Sequence, residues 1–205
     1  MPRRSIYAAV LAIPLVAVAC FRPARPPEVP ASPLAEAAPS PPALAVESSA
    51  PPAPEWPAPE FPAGAEWAQG GPVRLADLRG RVVVVHFWTN GCINCIHNYP
   101  AYRAWQKQYA GKDVTLIGVH TPEFAWEAPA ERVRTKAREN GLTFPIVLDP
   151  KNAIWSAWGT RYWPTVFLVD KRGGIRYHWE GELHLDTAEG KRFAAHIDEL
   201  LAEGK

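Results

Sequence analysis

Sulfur is scarce in this chain. Three cysteines and one methionine are spread over 205 residues. Cys20 stands alone near the start, so one pair remains, Cys92 and Cys95. One pair excludes the multi-bridge framework of a small disulfide-stapled protein. An excess of charge of either sign is lacking as well. The formal net charge is +1, and from Cys20 onward the balance is 20 basic against 21 acidic residues. Such a balance argues against nucleic acid as a partner. No internal repeat is present. Long apolar runs are missing too. The one candidate, Ile6 to Val18, is interrupted by Pro14 and is short for a membrane-spanning helix.

Proline, by contrast, is abundant and unevenly placed. Residues 21–62 hold 14 of the 23 prolines, with much alanine and few larger apolar side chains. A segment of this kind buries too little surface to offset its ordering entropy. It is expected to be a disordered tether over residues 21–65, with polyproline II bias and a reach of at most about 130 Å. The twenty residues before it have the layout of an export signal. Arg3 and Arg4 form a basic start, an apolar stretch follows, and Ala17-Val18-Ala19-Cys20 closes it. That ending resembles the lipobox of bacterial lipoproteins, although Ala17 stands where leucine is usual. The resemblance implies a lipid on Cys20 and a periplasmic or otherwise extracytoplasmic protein held to the bacterial membrane. A plainly cleaved signal or an uncleaved anchor would use the same residues. The rest, residues 66–205, has the length of one domain.

Within that domain Val82 to Trp88 is a nearly continuous β-branched run, expected to form a central strand. It leads directly into Cys92-Ile93-Asn94-Cys95. Residues 93 to about 110 should form a helix, with Ile96, Tyr99, Tyr102, Trp105 and Tyr109 on one side and Pro100 inside it. A Cys-x-x-Cys opening a helix is a redox arrangement. The free amides and positive dipole end there favour a thiolate. That thiolate is the nucleophile of disulfide exchange, and the second cysteine, one turn on, is placed to resolve the mixed disulfide.

Further along, Val114 to Val119 reads as a strand and Pro129 to Asn140 as a helix stopped by Gly141. Ile146 to Leu148 reads as a short strand and Asn152 to Trp158 as a short helix. Thr165 to Val169 and Ile175 to Trp179 read as a hairpin around Asp170-Lys171-Arg172-Gly173-Gly174. A last helix is expected to start near Asp186-Thr187-Ala188-Glu189, at capping-box spacing. Strands linked through helices pair in parallel, and the hairpin adds an antiparallel pair. The expected class is α/β, a mixed central sheet with helices on both faces.

This order resembles the thioredoxin fold, a three-layer sandwich. Within it the chain is similar to the TlpA-like, or DipZ C-terminal-like, branch of bacterial thiol–disulfide oxidoreductases. The likeness runs from about Trp67 to Leu201. It is carried by Val73 to Gly80, Phe87-Trp88-Thr89, the Cys92–Cys95 motif, Gly118-Val119-His120-Thr121-Pro122-Glu123-Phe124, and Tyr162-Trp163-Pro164.

The resemblance implies an enzyme in which Cys92 attacks and Cys95, buried, resolves. Pro164 would be the cis-proline facing the pair, with Trp163 offering its backbone to an extended substrate. His86 stands where thioredoxins bury an acid, and a neutral imidazole there could accept the Cys95 proton. The alternative is a hydrogen-bonded core histidine. Glu123 resembles a glutamate found near the pair in reductases of cytochrome c maturation, and it reads equally well as a solvated loop acid. Gly91 replaces the tryptophan of thioredoxin, which opens the rim, and Trp88 and Trp163 are candidates for apolar substrate contact.

The implied partners are protein thiols and disulfides, with electrons passed from a membrane donor toward substrate. No cofactor beyond the dithiol is expected. Two other functions compete. One is a peroxide reductase of the peroxiredoxin type, although Asn90-Gly91 precede Cys92 where proline and threonine are usual. The other is a metal- or haem-maturation module that uses the cysteines as ligands. Against the second, a structural zinc site needs four ligands and only His97 is at hand, while haem attachment needs histidine at residue 96, which is isoleucine.

Overall fold

The computed structural model describes residues 54–204. The signal segment 1–20, Cys20 and the tether up to residue 53 lie outside the described residues. Six strands and four α-helices are present among those described. In chain order they are β1 (Trp67–Gln69), β2 (Val82–Trp88), α1 (Ile93–Gln108), β3 (Val114–His120) and α2 (Ala130–Glu139). Then come β4 (Ile146–Leu148), α3 (Ala153–Ala157), β5 (Thr165–Val169), β6 (Ile175–Glu180) and α4 (Ala188–Ala202).

They make one sheet in the order β1-β4-β3-β2-β5-β6. β2 runs parallel to β3, and β3 parallel to β4. β5 is antiparallel to β2, β6 to β5, and β1 to β4. The expected mixed sheet is therefore present, with β2 near its middle. β2 is buried on both faces, the condition that favours an uninterrupted apolar strand.

Alternation along β2 feeds two cores. Val82, Val84 and Trp88 face α1, α2 and α4, where Tyr99, Tyr102, Trp105, Val133, Phe193 and Ile197 fill the space. Val83, Val85 and Phe87 face the other side, under α3 and its neighbours Trp158, Ile154 and Phe61. α1 runs through Pro100 without interruption. α2 ends as its glycine requires: Gly141 adopts φ +65°, and the Leu142 N–H donates to the Ala137 carbonyl at 2.9 Å. The start of α4 differs by one residue from the sequence reading. Its cap is Thr187, whose Oγ1 accepts from the Gly190 N–H at 3.0 Å. Asp186 is not the cap.

Two further departures concern the N-terminal side. β1 has only three residues and no periodicity to announce it. The ordered domain also begins before Glu66. The Trp56 carbonyl accepts from the Ile175 N–H at 2.8 Å, and the Ala58 N–H donates to the Gly173 carbonyl at 2.9 Å. Phe61 is buried against Trp67 and Trp158. The Glu60 carboxylate takes the N–H groups of Phe61, Leu75 and Ala76 at 2.8–3.0 Å. One aromatic anchor and one multiply bonded acid order residues 54–65 despite their proline content, so the tether reading does not hold for them.

Candidate active site

The C-terminal end of β2 delivers the chain into Thr89-Asn90-Gly91 and then Cys92. Cys92 is the N-cap of α1, in extended backbone, and its Sγ accepts the Cys95 N–H at 3.1 Å. The two sulfurs are bonded, with Cα atoms 5.2 Å apart, well inside the range a disulfide requires. Cys92 is half-buried and Cys95 fully buried. That asymmetry gives one sulfur access to a partner and keeps the other for internal attack. The free N–H groups and dipole of a 16-residue helix favour negative charge on Cys92.

The Trp163–Pro164 bond is cis, as expected for Pro164. Trp163 is half-buried. Its Nε1 donates to the Thr121 carbonyl at 3.1 Å and its ring lies 4.1 Å from that of Trp155. Gly91 is exposed. Trp88, expected at the rim, is fully buried against Tyr99 and His120, so it packs the core and touches no substrate. His97 is turned toward Glu182, 2.9 Å away.

His86 stacks on Tyr102 at 4.1 Å and meets the edge of Phe144. Trp88, two residues nearer the cysteines, packs on Tyr99, one turn beyond Cys95. Neither ring nitrogen of His86 has a hydrogen-bond partner among the described residues. Burial pushes its pKa down to about 3. A base that weak is poorly matched to a thiol proton.

The acid at the site is Glu127, four residues beyond the expected Glu123. Glu123 is exposed, whereas Glu127 is fully buried. One Glu127 oxygen accepts the Gly91 N–H at 2.5 Å. The other accepts the N–H groups of Glu123 and Phe124 at 2.7 and 2.9 Å. The Asn90 side chain donates to the Glu127 carbonyl at 3.2 Å. Burial alone would raise the Glu127 carboxyl, but the N–H groups of Phe124, Gly91 and Glu123 outweigh it and hold it below the usual carboxylate range.

Gly91 is the complement of this acid. A Cβ on it would stand 2.8 Å from Glu127 Oε1 and 3.2 Å from the Trp126 ring. The absence of a side chain before Cys92 thus admits a carboxylate rather than merely widening the rim. The Glu127 carboxylate thus accepts from the residue that directly precedes Cys92. Sequence offered one signal for Glu127, the glycine at residue 91.

Removing Glu127 should orphan three N–H groups. Glu127→Ala is expected to cost about 3 kcal/mol of unfolding free energy, and Glu123→Ala no more than about 0.5. Urea titration of both variants reads the difference. Equal losses would return the role to Glu123.

Residues 53–178 match the model of the AhpC/TSA family, more than half of the chain. This chain belongs to the AhpC/TSA family. Among proteins similar to this AhpC/TSA member is Protein DipZ of Mycobacterium tuberculosis, 40% identical over 118 residues. That match covers 58% of this chain and 17% of DipZ. The thiol-disulfide oxidoreductase ResA of Geobacillus thermodenitrificans is 36% identical over 112 residues, covering 53% of this chain and 59% of ResA. The chain thus spans about a sixth of DipZ and under two thirds of ResA. A solved thiol-disulfide isomerase from Corynebacterium glutamicum superposes with a TM-score of 0.62 at 25% identity, covering 72% of this chain and 98% of that one. The shared fold is the thioredoxin-like one that the sequence resemblance implied. Among the described residues no group of three or more His, Cys, Asp or Glu is placed to hold a metal ion, and no helix is long and apolar enough to cross a membrane.

Proposed function

We propose that this protein is a thiol–disulfide oxidoreductase that reduces disulfides in other proteins. The observation that carries the reading is the unequal pair, a half-buried Cys92 capping α1 with a fully buried Cys95 bonded to it one turn behind. The similarity to the thiol-disulfide oxidoreductase ResA and to the Corynebacterium thiol-disulfide isomerase supports it. In the reduced protein the Cys92 thiolate attacks one sulfur of a substrate disulfide. The substrate S–S bond breaks, the leaving thiolate takes a proton, and a Cys92–substrate disulfide forms. Cys95 then loses its proton and its thiolate attacks Cys92 Sγ. The second substrate thiolate departs and is protonated. Two electrons have moved from the Cys92–Cys95 dithiol to substrate, leaving the disulfide seen here. A second dithiol must return them, and a membrane donor of that class is the proposed source.

The proposed setting is extracytoplasmic, with the domain tethered to a bacterial membrane through lipid on Cys20. The proposed chemistry uses no metal or nucleotide. Replacing Cys95 by serine removes resolution and should trap the mixed disulfide. After mixing the variant with oxidised insulin, mass spectrometry should find one insulin chain on Cys92 per protein. Failure to trap any adduct, together with no insulin reduction by the unaltered protein, would sink the reading. A reducing role places the Cys92–Cys95 couple nearer about −270 mV than about −120 mV, the span between reducing and oxidising dithiols of this kind.

A further inference from the structure

Among the described residues five large apolar side chains are more than half exposed: Trp56, Ile93, Phe124, Trp126 and Tyr162. Trp56 lies against the β5–β6 turn. The β2–β5–β6 register puts that turn at the N-terminal end of β2, opposite Cys92. The other four belong to three segments that frame the reactive sulfur: the first residue of α1, the β3–α2 loop and the loop of cis-Pro164. Apolar surface gathered in this way marks an interaction site.

Trp126 is its best-defined member. Its ring atoms Cη2 and Cζ2 lie 3.2 Å from where a Gly91 Cβ would stand, so the indole rests on the backbone beside Cys92. The Arg132 guanidinium sits 5.8 Å from an indole ring centroid. The loop is held by the Glu127 carboxylate through the Glu123 and Phe124 N–H groups, so the indole is presented by an ordered support. Beside it opens a cleft of about 410 Å³, reaching from Asn90 and Trp126 along α2. Arg132 and Lys136 on its wall are balanced by Glu131 and Glu139.

A cleft with an indole wall and cancelling charges suits a neutral, flat side chain. It gives no net attraction to a small disulfide that carries several carboxylates, as oxidised glutathione does. We propose that the Trp126 cleft is a specificity subsite for an aromatic side chain next to the reacting disulfide of an extended polypeptide substrate. The proposal rests on the exchange reading above and adds to it the class of substrate. Stacking on Trp126 and loss of apolar surface to water supply the preference.

The test uses the full chain and three oxidised substrates: two peptides with the same disulfide, carrying phenylalanine or serine beside one cysteine, and oxidised glutathione. The phenylalanine peptide should be reduced with a kcat/KM about tenfold above the serine peptide, mostly through KM. Trp126→Ala should bring that ratio to within about twofold, and Trp126→Phe should restore most of it. Trp56→Ala, at the far end of the sheet, should keep the tenfold ratio. Equal rates on the two peptides with the unaltered protein, a ratio that survives Trp126→Ala, or a preference for oxidised glutathione would each overturn the subsite while leaving exchange intact. No turnover on any of the three substrates would overturn the exchange reading, and the subsite with it.

Discussion

Replacing Cys92 by serine is expected to cut disulfide exchange by at least about a thousandfold, because a hydroxyl does not ionise where a thiol does. The loss should be chemical and not structural. Cys92 already acts as the N-cap of α1 through its Sγ, and serine is among the best residues for that position. Urea midpoints of the reduced protein and the Cys92→Ser variant should therefore agree to within about 0.5 kcal/mol of unfolding free energy. Turnover is read as insulin reduction with dithiothreitol as the donor, against the rate without protein. A variant that keeps a tenth of the activity would mean that some other group carries the attack.

Acidification from pH 7 to pH 5 should remove about 4 kcal/mol of stability, through two histidines held neutral in the core. Burial pushes His86 down to about 3. Burial also lowers His120, to about 4, with the nearby Glu127 charge restoring part of the shift. In the unfolded chain both would titrate near 6.5. Between that value and the folded ones the unfolded state binds protons that the native state refuses. Stability is therefore fully present above about pH 6.5 and is lost as the pH falls toward 4 and then 3. Each imidazole accounts for about 2 kcal/mol between pH 7 and pH 5. Substituting His86→Phe keeps a ring over Tyr102 and removes one titrating site. Its unfolding free energy should fall about half as far between the two pH values. An unchanged pH dependence in that variant would show that His86 is not held neutral.

Much of the architecture was legible because its signals are local. Val82–Trp88 is apolar at every position but His86, and the strand it forms is buried on both faces. Tyr99, Tyr102 and Trp105 share a helical stripe and meet the core together. The cysteine motif opens α1 and the Trp163–Pro164 bond is cis, as the family resemblance implied. The misreadings have non-local causes. Glu127 acts because the β3–α2 loop curls back and aims two N–H groups at it while Gly91 supplies a third. No spacing rule within the loop separates it from Glu123. Trp88 reads as a rim residue from its nearness to Cys92, but strand alternation turns it under α1 and against His120. Proline content hides the order of residues 54–65, which depends on Phe61 and Glu60 finding partners elsewhere in the chain. β1 is too short to have a period.

The point where the chain enters the domain has a consequence for reach. Residues 56–58 clasp the β5–β6 turn, and the seven-residue strand between that turn and the cysteine loop puts roughly 20 Å between entrance and sulfur. Residues 56–58 thus lie at the end of the sheet remote from Cys92. A label or cap built onto residues 56–58 would therefore leave the reactive tip unshaded, like a lamp wired from its base.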